Sequence, residues 1–205
     1  IRKNYASALN DAAQITDALR KRVRAGKTAL LGQWDRRAGF PSGRDKGCNV
    51  PQGSVPKKLE PDVKRPVSDH SKTGLNAALD LSGLAHSLDT YAEIARELRP
   101  GYSMRVEDVD GAFPLLPLSP KVWKYMYVIW FDIDKPLEEQ PEPNTLYMHI
   151  FGDFGTAAMP GLWDMFWRCV KGMARAAGVL TLPMPHYVDD NSLIGSDAAQ
   201  VDAEA

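Results

Sequence analysis

Residues 186–194, His-Tyr-Val-Asp-Asp-Asn-Ser-Leu-Ile, set two adjacent carboxylates between apolar β-formers. Neighbouring side chains in a strand point to opposite faces, so an Asp pair inside one would turn a charge toward the core. A tight hairpin avoids this: Tyr187-Val188 runs in, Asp189-Asp190 occupy the turn, and Ser192-Leu193-Ile194 runs out. Turns favour Asp and Asn because these tolerate left-handed backbone and bond their own backbone. Such a hairpin presents two carboxylates, hard oxygen ligands suited to Mg²⁺. An ordinary solvated Asp-rich turn fits the same string, so metal chemistry requires a third carboxylate from elsewhere in the chain.

The 205 residues suffice for one large domain or two small ones. No apolar run approaches the ~18 residues of a membrane span, and no signal peptide opens the chain. No membrane partner is therefore expected. The chain begins with Ile1 rather than Met, which suggests a piece of something longer. Cys48 and Cys169 lie far apart without CxxC spacing. They read as reduced thiols of an intracellular protein, cytoplasmic or nuclear, with no zinc site. The net charge of −1 conceals an asymmetry. Residues 1–75 hold 16 Lys and Arg against 7 acidic residues, while the remainder holds 9 against 19. A basic first third suits a polyanion clamp beside a carboxylate metal site, although two ordinary surfaces of opposite sign have the same composition.

Along the chain, Ala8, Leu9, Ala12, Ile15 and Leu19 recur at helical spacing and predict a helix over Asn4–Arg24, stopped at Gly26. Lys27 to Pro61, rich in Gly, Pro and basic residues, reads as loop and irregular hairpin, with Ser54–Lys58 a short edge strand and Lys64–Ser71 a second strand. One or two helices are expected over Ala77–Leu98, the clearer being Leu88–Leu98. Tyr102–Val109 reads as a buried-type strand ending in Asp108, the third carboxylate, with Asp110 nearby. A strand-terminal capping Asp is the plainer alternative. Tyr125–Phe131 and Thr145–Phe151 are apolar and β-forming, joined by a Pro-rich polar turn, and predict an antiparallel hairpin with His149 partly exposed. Pro160 opens a helix whose stripe of Leu162, Met165, Phe166, Cys169, Val170 and Met173 is expected to face the core. Ser196–Ala205 reads as a polar tail.

Four of these segments, in this order, resemble the reverse transcriptase family. Lys64-Arg65-Pro66-Val67-Ser68-Asp69-His70-Ser71 is similar to the fingers strand that grips the incoming triphosphate. Asp108-Val109-Asp110-Gly111-Ala112-Phe113 fits the family's Asp-x-x-x-Ala-[Phe/Tyr] motif, and the segment ends in Pro117-Leu118. Phe154-Gly155 through Pro160 is similar to the family's loop-helix motif, and Tyr187-Val188-Asp189-Asp190 to its catalytic turn. Phe154 stands where retroviral enzymes usually have Gln; Phe-Gly there resembles retrotransposons of the tyrosine-recombinase (DIRS-like) kind.

The resemblance implies an α+β fold, a polymerase palm of antiparallel sheet backed by helices with a basic fingers subdomain and no thumb. The expected division is an N-terminal helix over 1–26, a fingers-like region over 27–101 and a palm over 102–205, with a fingers insertion hairpin at about 124–151. It implies catalytic Asp108, Asp189 and Asp190, with Val109 adding a backbone carbonyl to a metal. Arg65, Lys64 and Lys57 would meet the phosphates. Ala112 and Phe113 would line the sugar pocket, and Phe154 and Gly155 would bear on the base pair. Tyr187, Thr156 and Pro160 would face nucleic acid. The implied cofactor is a pair of Mg²⁺ ions, or Mn²⁺, roughly 3.5–4 Å apart, stabilising attacking and leaving oxygens of an in-line displacement. The implied partners are dNTP, a primed RNA or DNA template, and the thumb and RNase H parts of a parent polyprotein. The implied activity is RNA-dependent DNA polymerisation. A catalytically inert or domesticated palm that only binds nucleic acid or a protein, and an RNA-dependent RNA polymerase, are the alternatives.

Overall fold

Aromatic and β-branched residues near positions 127 and 147 build the centre of the first of two units in the computed structural model, which describes residues 1–43, 47–84 and 91–205. The first unit comprises Ile1–Leu79 and Phe113–Met159; the second comprises Asp80–Ala112 and Pro160–Ala205. The fold is mixed α+β with small antiparallel sheets.

In the first unit, helices α1 (Ala6–Asn10) and α2 (Ala12–Arg24) replace the single helix predicted over Asn4–Arg24, the break falling at Asp11. Lys21, Arg22 and Arg24 fill the last turn of α2, where cations complement the dipole. Strand β1 (Thr28–Gln33) was expected to be loop. It exists because it pairs antiparallel with a strand more than a hundred residues away. Strands β2 (Gln52–Pro56) and β3 (Lys64–Ser68) form the predicted basic hairpin, with Pro66 tolerated in a two-stranded ribbon. Short helices α3 (His70–Thr73) and α4 (Leu75–Ala78) follow where the second strand was expected to continue to Ser71. Strands β5 (Tyr127–Trp130) and β6 (Thr145–His149), numbered after β4 of the second unit, form the predicted antiparallel hairpin and give the sheet order β1-β6-β5. Ile15 and Leu19 of α2 pack on Val128, Trp130 and Tyr147 of this sheet. Burying an aliphatic side chain of that size stabilises the fold by roughly 1.5–3 kcal/mol. The Trp130 indole donates to Thr16 Oγ1 at 2.9 Å.

The second unit holds strand β4 (Ser103–Asp108), β7 (His186–Tyr187) and β8 (Asp190–Gly195) in the order β4-β8-β7. It also holds α5 (Tyr91–Glu97), α6 (Met159–Ala176, from Pro160 onward) and α7 (Ala198–Glu204). The helix predicted from Leu88 is present from Tyr91; its first residues, 88–90, lie outside the described part. The segment read as a polar tail carries α7, opened by Asp197, whose side chain accepts from the Ala199 and Gln200 N–H groups. Val201 of α7 completes a core with Leu180 and Leu193.

Two burial expectations are corrected. Strand β4 is not buried: Met104 and Val106 are 47% and 55% exposed. On α6 the apolar stripe does not face the core, since Met165, Phe166, Cys169 and Met173 are exposed. The face carrying Trp163 and Asp164 is the buried one. Among the described residues no helix is long and apolar enough to cross a membrane.

Candidate metal centre

Antiparallel register brings the carboxylates together. Strand β4 ends at Asp108 and β8 begins at Asp190, and the two are directly opposed. Opposed residues share a face, so both side chains leave the sheet on the same side. The turn between β7 and β8 is Val188-Asp189, not the expected Asp189-Asp190, and Asp190 is already in the ladder opposite Tyr187. Val188 takes the left-handed position at φ 56° that the residue preferences would give to Asp or Asn. For a β-branched residue this backbone is an outlier costing about 1–3 kcal/mol. It aims Asp189 at the pair already opposed across the strands. One oxygen from each of Asp108, Asp189 and Asp190 lies within 4.8 Å of the others, with Asp108 and Asp190 exposed and Asp189 half-buried. Asp110 is not part of this cluster.

Two hydrogen bonds fix the Asp189 backbone. Its carbonyl accepts from Val109 N–H at 3.0 Å and from Asn191 Nδ2 at 3.1 Å. Three anionic carboxylates this close repel one another unless a cation sits among them. Their donor set is all hard oxygen, which suits Mg²⁺ or Mn²⁺ better than zinc, whose preferred ligands are Cys and His. Val109 could add its carbonyl, its N–H being engaged with the turn.

The remaining candidates divide between the units. Ala112, Pro160 and Tyr187 belong to the second unit, where Ala112 is buried and Tyr187 is 55% exposed. The rest belong to the first. There Lys57 pairs with Glu60 at 3.7 Å, Lys64 Nζ donates to the Pro61 carbonyl at 2.6 Å, and Arg65 is exposed opposite Val55. Phe113 is buried and its ring lies 5.2 Å from that of Phe154, which is 41% exposed. Gly155 has φ 110°, and a Cβ there would run into the Ser68 carbonyl. Thr156 Oγ1 donates to Asp153 at 2.9 Å.

Beneath the Phe154-Gly155 loop lies a buried polar cluster that the linear sequence did not signal. His70 Nε2 sits 3.0 Å from both carboxylate oxygens of Asp153. Burial works to raise the Asp153 carboxyl, but the His70 hydrogen bond and charge hold it well below the usual carboxylate range. Asn76 bonds the Gly155 carbonyl and the Ala157 N–H, each at 2.9 Å, and so ties the loop from its other side. His149, expected to be partly exposed, is buried beside this cluster. It shares a 2.7 Å hydrogen bond with Thr28 Oγ1, which accepts in turn from Arg22 Nε at 3.3 Å. Burial, with the Arg22 charge added, pushes the His149 imidazole down to about 3.

No protein-family profile matches the chain, and no curated protein does. Among solved structures it is similar to the crystal structure of prototype foamy virus protease-reverse transcriptase in its native form, with a TM-score of 0.63 at 17% identity. That likeness covers 98% of this chain and 22% of the viral one, so the chain spans about a fifth of the protein it matches. At this identity the similarity is one of fold.

Proposed function

We propose that the chain is the fingers-and-palm part of a retroelement reverse transcriptase, extending a primer 3′-hydroxyl with dNTPs on an RNA template. The observation that carries the proposal is the convergence of Asp108, Asp189 and Asp190 within 4.8 Å from two paired strands and their turn. The fold likeness to a protease-reverse transcriptase supports it.

In this assignment the three carboxylates and the Val109 carbonyl hold the divalent cations. Bound there, the cations would activate the attacking hydroxyl and neutralise charge on the leaving phosphate. The other residues bind and orient. Arg65, with Lys64 and Lys57, supplies positive charge for the triphosphate; guanidinium suits this because its fork matches phosphate oxygens. Phe113, set against Phe154, forms the aromatic wall that excludes a 2′-hydroxyl. Gly155 lets its loop close against the Ser68 carbonyl, where a side chain would clash, and so shapes the surface that bears on the base pair. Tyr187, Thr156 and Pro160 face the template and primer.

The test is primer extension on poly(rA)/oligo(dT) with Mg²⁺ by the full-length gene product. Asp108→Asn and Asp189→Asn are expected to reduce incorporation to background with an unchanged circular-dichroism spectrum. Near-normal extension by either variant would contradict the assignment. Preference for rNTPs over dNTPs would point to an RNA polymerase, and nucleic-acid binding without incorporation by the wild type to a binding-only palm.

A further inference from the structure

The side of α6 turned toward the β7–β8 hairpin is polar where it matters. Trp163, Asp164, Trp167 and Lys171 fall one, three and four residues apart, the spacing that lines one helix face. Each bonds to the hairpin or to its entry. The Trp163 indole N–H donates to the Val188 carbonyl at 2.6 Å. The Trp167 indole N–H donates to Asn191 Oδ1 at 2.5 Å, and Asn191 Nδ2 donates onward to the Asp189 carbonyl. Lower down, Lys171 Nζ bonds His186 Nδ1 at 2.7 Å and the Met184 carbonyl at 2.9 Å. Asp164 lies 3.0 Å from His186 Nε2 and is bridged by Arg168 through both oxygens.

These bonds concentrate on the residues flanking Asp189. Trp163 holds the carbonyl of the left-handed residue just before it. Trp167 holds, through one side chain, the carbonyl of Asp189 itself. The indole rings are stacked, with centroids 5.4 Å apart, and Trp163 is 1% exposed, so the donors are fixed in direction. A left-handed valine persists only where its surroundings over-determine it. The two indoles are part of those surroundings, with the Val109 N–H that bonds the Asp189 carbonyl.

We infer that Trp163 and Trp167 are positioning residues for the metal centre. They hold the Val188-Asp189 turn in its left-handed form and thereby set the Asp189 carboxylate against Asp108 and Asp190. The inference rests on the polymerase assignment for its kinetic consequence, though not for its metal-binding one. Residues that orient metal ligands typically cost about 10–100-fold in metal affinity or activity when changed.

Trp163→Phe keeps an aromatic ring in the same pocket and deletes only the N–H and the second ring. The expected result is a Mn²⁺ dissociation constant raised by about tenfold or more. Primer extension should show a comparable fall in kcat, with the dNTP KM unchanged. A residue that merely stabilised the fold would not split kcat from KM in this way. If the Phe variant folds poorly, replacing Trp163 with benzothienylalanine, which carries sulfur in place of the N–H at nearly the same shape, gives the same expectation. Wild-type Mn²⁺ affinity and kcat in the benzothienylalanine protein would overturn the inference. Asp108→Asn separates the two failures. If it abolishes Mn²⁺ binding while the Trp163 variants leave binding untouched, the metal centre stands and the positioning role is wrong. If Mn²⁺ binding survives Asp108→Asn unchanged, the metal centre itself is wrong and the positioning role falls with it.

Discussion

Phe113 and His149 show how single side chains in the first unit carry separable properties. Phe113 is buried, with its ring tilted against that of Phe154. In the polymerase assignment this pair blocks a 2′-hydroxyl. Phe113→Val should therefore raise rNTP incorporation relative to dNTP in single-nucleotide extension, and an unchanged ratio would remove Phe113 from the sugar pocket. His149 governs stability instead. Its imidazole is neutral when folded, with its proton affinity pushed down to about 3, while in the unfolded chain it titrates near the ordinary value of 6.5. Between those values the unfolded chain binds the extra proton. The contribution is therefore fully present above about pH 6.5 and is lost as pH falls toward 3. At about 1.36 kcal/mol for each unit of displacement, the loss reaches a few kcal/mol. Asp153 adds to it only lower, because its depressed carboxyl contributes stability that disappears below the carboxylate range. His149→Asn keeps an acceptor for Thr28 and removes the titration. Its thermal midpoint should fall less steeply between pH 6.5 and 4 than the wild type's, and parallel slopes would show that His149 is not the group responsible.

At the scale of elements, what could be read from the sequence was what lies in one local string. The β2–β3 ribbon, the β5–β6 hairpin, the start of α6 and the Asp189 hairpin all announce themselves through turn residues, Pro placement and runs of β-formers. Strand β1 did not, because its partner β6 lies far along the chain and supplies the reason for it to be extended. On α6 the loudest pattern misled. Met165, Phe166, Cys169 and Met173 spell a core stripe, yet the buried face is the one whose Trp163, Asp164, Trp167 and Lys171 find polar partners in the β7–β8 hairpin. Burial of Asp164 and His186 together is a pairwise fact that no single residue's hydropathy reveals. The turn was displaced by one residue for a similar reason. The opposition of Asp108 and Asp190 across β4 and β8 fixes the register, and local preference for Asp over Val in left-handed backbone yields to it. Helix α7 was hidden by its polarity: only Val201 is buried, so no apolar stripe marks it. Its start depends on the Asp197 cap. Asp197→Ala should lower the melting temperature by about 2–4 °C, with Asp197→Asn near wild type. Equal melting of all three would mean the cap contributes nothing.

Across the whole molecule, the basic first 75 residues fall entirely within the first unit, and the three converging carboxylates entirely within the second. That partition accompanies a fold shared with part of a viral protease-reverse transcriptase. The carboxylate cluster of Asp108, Asp189 and Asp190 was legible because residue types and spacing alone single out hard-oxygen ligands. The supports beneath it, Trp163 and Trp167 in the second unit, were not, since nothing in their types distinguishes a donor to a strained turn from ordinary packing. The central claim is that Asp108, Asp189 and Asp190 form one divalent-cation site. Electron paramagnetic resonance titration of Mn²⁺ into the wild-type protein and the Asp108→Asn/Asp189→Asn double variant measures it without requiring turnover. The wild type should take up Mn²⁺ with quenching of the free-ion signal, competed by Mg²⁺, and the double variant should leave that signal unquenched. Equal uptake by both proteins, or none by the wild type, would contradict it.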